Sequence, residues 1–263
     1  MKSYEIYDRE KDLTIGILLY YEKDRIFIIE LIGSLDEWSS PLLFSGLVKK
    51  KIYTVPRDIS MMWVRERIIP SGRQNIGSIL NTHHLKEYDE LRFLELSRGM
   101  SSQDSLMIRS IDELPLFVKE RMEHNLADVM PTGDSLLCFF NDDSISIIDL
   151  KELTEYEGVD KLLKNHSLLE SAEIGAGGYY ATFNDVIDIP ANVLFKSGSR
   201  LPITGKVFLD FVRNNILDTT EACKILACTR QNLAYLVETD QLEPIKEARG
   251  NLYLKGDVLK NRQ

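Results

Sequence analysis

Leu217-Asp218-Thr219-Thr220-Glu221-Ala222-Cys223-Lys224-Ile225-Leu226-Ala227-Cys228-Thr229-Arg230-Gln231-Asn232-Leu233-Ala234-Tyr235-Leu236-Val237 carries two helix starts in close succession. Asp218 is an N-cap residue, and Glu221 stands where a capping box needs it. Leu217, just before the cap, can pack on Ala222 as a hydrophobic staple. Ala222, Ile225 and Leu226 share one helical face, and the helix stops near Ala227-Cys228. Thr229 caps a second helix, because its hydroxyl can accept from the amide of Gln231 or Asn232. That helix buries Leu233, Leu236 and Val237. It leaves Arg230, Gln231, Asn232, Ala234 and Tyr235 outward.

Those outward residues suit base edges. Arg bonds guanine O6 and N7 in bidentate fashion, and Gln or Asn does the same to adenine N6 and N7. A recognition helix meets bases through its N-terminal residues. Downstream, Pro244-Ile245-Lys246 and Leu252-Tyr253-Leu254 read as two strands of a wing, with Glu247 to Asn251 as its turn. Lys246 and Arg249 can reach phosphate, which positions a protein without reading sequence. Thr220, Thr229, Arg230, Gln231, Asn232, Tyr235, Lys246, Arg249 and Asn251 form the expected DNA-contacting set.

Together these residues resemble the winged helix-turn-helix of the MerR and excisionase group. The matching positions are Thr220-Glu221-Ala222, Ile225-Leu226, Thr229-Arg230-Gln231, Leu236-Val237, Leu242, Pro244 and Asp257-Val258. The resemblance implies operator binding, as a dimer on two half-sites. Two positions depart from the pattern. Ala227 stands where the family usually has Gly in the turn, and Asp240 where Gly usually ends the recognition helix.

The whole chain has 263 residues, enough for two or three small domains. Its 44% hydrophobic and 28% charged content is ordinary for a globular protein. The net charge of −9 argues against a general nucleic-acid coat and suits an acidic surface for a basic protein partner. Residues 203–263 differ, with nine Lys and Arg against eight Asp and Glu. No apolar run reaches membrane-spanning length, since Glu22-Lys23-Asp24-Arg25 ends the Ile15–Tyr21 stretch. The first residues lack a signal-peptide core, so the expected location is cytoplasmic. Cys138, Cys223 and Cys228 are an odd set without zinc-ligand spacing; they are expected to pack as small hydrophobes.

The expected fold class is α+β and multidomain. A mixed α+β domain is expected over 1–112, a small β-rich α+β domain over 113–202, and the winged helix-turn-helix over 203–263. In the first, residues 12–32 read as a hairpin. Helices are expected over 36–50, 56–69 and 86–98, with one more ending near Asn81 and a short strand over Leu106–Ile111. A helix over 114–125 leads into the second region. There Leu136–Phe140, Ser144–Ile148, the stretch near Glu173-Ile174 and Tyr179–Phe183 read as strands. Short helices are expected over Gly158–Asn165 and Pro190–Phe195. The order Phe139-Phe140-Asn141-Asp142-Asp143, Ile148-Asp149-Leu150, a Gly-rich hairpin and Asp188-Ile189-Pro190 with Leu194-Phe195 and Gly198 resembles a small bacterial domain of unknown function. That group has been proposed to act as antitoxins.

No catalytic set emerges. Gly175-Ala176-Gly177-Gly178 lacks the strand-before, helix-after context and the Lys-Ser/Thr of a phosphate loop, and reads as a hairpin turn. His124 and His166 are isolated, and no Ser or Cys sits in a nucleophile elbow. The expectation is a non-enzymatic transcriptional regulator without metal or cofactor. Its partners would be double-stranded DNA, a second copy of itself, and possible protein partners of residues 1–200, with no membrane. The alternative is an antitoxin-like or inhibitory interaction protein whose DNA module only represses its own gene.

Overall fold

The computed structural model describes residues 1–247 and 250–261. The protein is a mixed α+β molecule with antiparallel sheets. Its contacts group into two compact units. One holds residues 1–142 and 148–198, the other 143–147 and 199–263.

The first unit opens with three strands, β1 (Lys2–Asp8), β2 (Leu13–Tyr21) and β3 (Ile26–Leu31). Then come α1 (Leu42–Lys49), β4 (Thr54–Val55), α2 (Arg57–Arg65), α3 (Ile76–Thr82), α4 (Glu90–Ser97) and β5 (Leu106–Ser110). The strands form one antiparallel sheet in the order β4-β3-β2-β1-β5. Phe27, Ile29 and Leu31 alternate onto one face and pack with Phe44, Trp63, Val64 and Leu94 from the helices. Ile17, Leu19 and Ile28 fill the other face. A strand covered on both sides needs apolar residues at every position, and so the run from Ile15 to Tyr20 is continuous rather than alternating.

The second face is covered by α5 (Leu116–Met122) and by Tyr179 and Tyr180, so the region after residue 112 packs on the first sheet through a shared cluster. That region continues with a hairpin of β6 (Leu126–Thr132) and β7 (Ser135–Phe140), then β8 (Ile145–Asp149), α6 (Val159–Lys164) and α7 (His166–Leu169). It ends with β9 (Ala172–Ile174), β10 (Tyr180–Phe183), β11 (Ile187–Pro190) and α8 (Ala191–Ser197). These last three strands form a sheet in the order β11-β10-β9. The glycine run is a tight turn between β9 and β10. Gly178 has φ +73, and a Cβ there would collide with the Leu126 carbonyl oxygen. Packing therefore explains this run.

A charged residue lies at the centre of the double-faced sheet. Glu30 is fully buried on β3, and Arg121 on α5 donates to it at 2.6 Å. The Thr54 hydroxyl donates to both carboxylate oxygens, at 3.0 and 3.1 Å. Arg121 also donates to the Leu31 carbonyl at 2.9 Å. Removing one partner of a buried pair strands the other charge. Arg121→Ala is expected to cost about 3 kcal/mol in urea unfolding. Burial pushes the Glu30 carboxyl above its ordinary value, against the lowering by Arg121 and Thr54. The folded state therefore holds this proton more tightly than the unfolded chain. Its contribution to stability is full below the ordinary glutamate range and is lost as pH rises through the raised value. Thermal unfolding of Glu30→Gln across acidic to neutral pH should lack that decline.

The second unit begins with Asp143–Ile147 and resumes at Ser199. There β12 (Ser199–Arg200) pairs with Ile147 and Ser146 of β8. Next come α9 (Gly205–Asn215), β13 (Ile216–Asp218), α10 (Thr219–Leu226), α11 (Arg230–Glu238), β14 (Leu252–Leu254) and α12 (Lys255–Lys260). Helix α9 is capped by Thr204, whose hydroxyl accepts from the Val207 amide at 3.3 Å. The Asp143 side chain accepts from the Lys206 amide at 2.8 Å, and its carbonyl from Gly205 at 2.9 Å. No helix among the described residues is long and apolar enough to cross a membrane.

Candidate nucleic-acid interface

Both expected helix starts are built as the residues dictate. Asp218 accepts from the Glu221 amide at 2.8 Å, and Glu221 accepts from the Asp218 amide at 3.0 Å. Thr229 accepts from the Asn232 amide at 3.2 Å. Between them the chain turns at Ala227, which is left-handed with φ 52 and ψ 38. The Cys228 amide donates back to the Cys223 carbonyl at 3.1 Å, closing the helix end. After α11 the same device recurs at Asp240, with φ 55, and Gln241 donates to the Leu236 carbonyl at 2.9 Å. Ala227 and Asp240 therefore both sit in the backbone region that glycine favours.

Leu217, Ala222, Leu233, Leu242, Tyr253 and Val258 form the core beneath these helices, with Leu236 and Val237 packed against it. Leu217 and Ala222 are both buried, as a staple requires. The face opposite Leu233 on α11 carries Gln231, Tyr235 and the carboxylate of Glu238, all exposed, with Ala234 toward its edge. Arg230 and Asn232 flank that face. Arg230 Nη2 lies 3.3 Å from the Thr220 hydroxyl and donates to it, so the structure brings these two candidates together across α10 and α11.

The segment expected to form a two-stranded wing differs from that expectation. Leu252–Leu254 is a strand, but its ladder partner is β13, pairing Ile216 with Leu254 and Asp218 with Leu252. The 244–246 segment contributes one bridge, Lys246 to Leu252, in place of a strand. Pro244 has no amide to donate, which shortens any ladder there. Lys246 is exposed. Asn251 is half-buried, and its carbonyl accepts from the Thr219 hydroxyl at 3.4 Å. Arg249 lies outside the described residues.

Cys138 is buried, and burial pushes its thiol up to about 12. Cys223 and Cys228 are half-buried against the helical core, and burial raises the Cys223 thiol first of all causes. Among the described residues no group of three or more His, Cys, Asp and Glu stands together to hold a metal.

Helix α9 was not anticipated. Val207, Phe208, Leu209 and Phe211 are exposed on it, and none of its residues is buried. At 100° per residue its apolar side chains fall on one side, which Gly205 and Asn215 share at the two helix ends, with Lys206, Asp210, Arg213 and Asn214 on the other. Thr204 three residues before Val207 was the available signal, a cap ahead of an apolar run.

Comparison of the chain with protein-family models, curated proteins and solved structures finds no match.

The cap geometry yields two opposite expectations. A left-handed alanine is strained by its Cβ, so Ala227→Gly should stabilise the protein by about 0.5 kcal/mol despite the added freedom of the unfolded chain. Thr229→Ala should cost about 1 kcal/mol by removing the cap. Paired denaturation curves of the two variants check both signs.

Proposed function

We propose that this chain is a DNA-binding transcriptional regulator, reading an operator through α11 of a C-terminal winged helix-turn-helix. One observation carries the reading. The face of α11 opposite Leu233 presents Gln231 and Tyr235, with Arg230 and Asn232 beside them at the helix start. These are the residue types and the helix end that address base edges in the major groove. The hydrogen bond from Arg230 to Thr220 holds that guanidinium at the mouth of the turn. A regulator of this kind works in the cytoplasm, where its DNA is.

The charge of the module sets a limit. Nine cations against eight anions in residues 203–263 neutralise few phosphates, and phosphate contacts supply much of the affinity for DNA. Two copies on two half-sites double those contacts. The exposed apolar arc of α9 supports a second copy as its occupant. A stable dimer buries roughly 800 Å² per partner, and the arc supplies part of that area without unfolding anything. Leu209→Lys with Phe211→Lys should turn a dimer into a monomer in sedimentation equilibrium. A wild-type chain that sediments as a monomer removes this arrangement.

The DNA reading is tested on the full chain. Arg230→Ala with Gln231→Ala should abolish sequence-specific retention of the protein's own promoter in a mobility-shift assay at stated salt. The thermal unfolding curve should stay in place, since both side chains are exposed. Unchanged retention overturns the assignment of α11.

A further inference from the structure

One depression in the first unit carries a charge opposite to that of the chain. A cavity of about 710 Å³ opens there between the segment from Lys50 to Asp58, the turn before α6, and the β11–α8 segment. Lys50, Lys51, Lys161 and Lys196 line it, and all four are exposed. Among the described residues none of the four is in an ion pair. Three carboxylates also line it. Asp188 is held by Arg57 Nε at 2.8 Å, which leaves Asp58 and Glu157 against four ammonium groups. A smaller cavity of about 150 Å³ adjoins it, sharing Lys51, Thr54, Tyr179, Asn192 and Lys196. It adds Arg121 and His124 and no carboxylate.

The rest of the lining is not ionic. Val55, Pro56, Ile187 and Val193 give an apolar wall, and the Tyr156 ring lies exposed at the edge. Asn192 Oδ1 is buried and accepts no hydrogen bond from the described residues. A cluster of lysines around an apolar wall, with an aromatic ring and a waiting acceptor, is suited to a particular ligand chemistry. Ammonium groups act as point charges for phosphate. The wall and ring suit a flat body, and the amide oxygen suits an amino or hydroxyl donor. The volume falls within the usual range for small-molecule sites, about 300–1,000 Å³.

We propose that this depression binds a small phosphorylated ligand of the nucleotide class, with its phosphates at Lys161 and Lys196 and its ring against the apolar wall. The proposal does not rest on the DNA reading. Four lysines without an ion pair among the described residues line one hollow of a chain with net charge −9, and a bound polyanion would offset their charge.

The test is calorimetric titration of the full chain with ATP, adenosine, inorganic tripolyphosphate and an acidic peptide. ATP is expected to bind and adenosine to bind at least about tenfold more weakly. Lys161→Glu with Lys196→Glu should weaken ATP by about tenfold or more while leaving the melting curve in place, since both side chains are unpaired. Arg230→Ala with Gln231→Ala should leave ATP binding unchanged, which separates this site from the DNA face. Absence of ATP binding up to about millimolar concentration overturns the proposal. So does equal binding of adenosine, equal binding of tripolyphosphate, binding of the peptide alone, or an unaltered affinity in the double lysine variant.

Discussion

The buried carboxylate of Glu30 constrains the first unit more than any apolar contact does. It sits on a strand whose two faces are both covered, where water cannot reach it. Its charge is tolerable only if Arg121 and the Thr54 hydroxyl stand in fixed places around it. That requirement ties β3 to β4 on one side and to α5 on the other. A well-packed apolar pair of similar volume would serve stability as well or better. What the polar cluster adds is register, because a one-residue slip of β3 would turn Glu30 toward the apolar helices. The loop before β4 carries Lys50 and Lys51 to the cationic hollow.

The sequence was most legible where local chemistry decides the backbone. Asp218, Glu221 and Thr229 announce their helices by side chains that satisfy amides within one turn, and the structure uses each of them so. The β2–β3 hairpin was equally plain, from the alternation of Leu13, Ile15, Ile17 and Leu19 and the apolar run Ile26–Leu31, although β2 proves buried on both faces. β1 was not anticipated, because Lys2–Asp8 mixes tyrosines with charges and gains its place by pairing with β2 and β5 at once. β13 was hidden for a different reason. Ile216 and Leu217 precede a helix cap, so their second role, pairing with β14, is visible only once residues far along the chain are placed beside them. The cationic hollow had no signature, since Lys50 and Lys51 are remote in sequence from Lys161 and Lys196.

Ala227 and Asp240 show how a non-glycine residue can end a helix in the left-handed region. Each is held left-handed by amides that close the helix end behind it. The strain of an L residue there is of order 1 kcal/mol, which the hydrogen bonds and the small core above Leu233 offset. Aspartate tolerates that backbone better than alanine, so the turn between α10 and α11 is the more strained of the two.

The second unit takes its first strand from Asp143–Ile147, a stretch that lies inside the sequence of the first. Asp143 also supplies two of the acceptors at the start of α9. The chain therefore passes between the units at three places rather than one. Such a module does not travel as a cassette. A gene fusion that carried residues 203–263 to another protein would leave behind the strand and the cap that begin the fold. A fragment meant to keep this fold would have to include Asp143–Ile147 as well as residues 199–263.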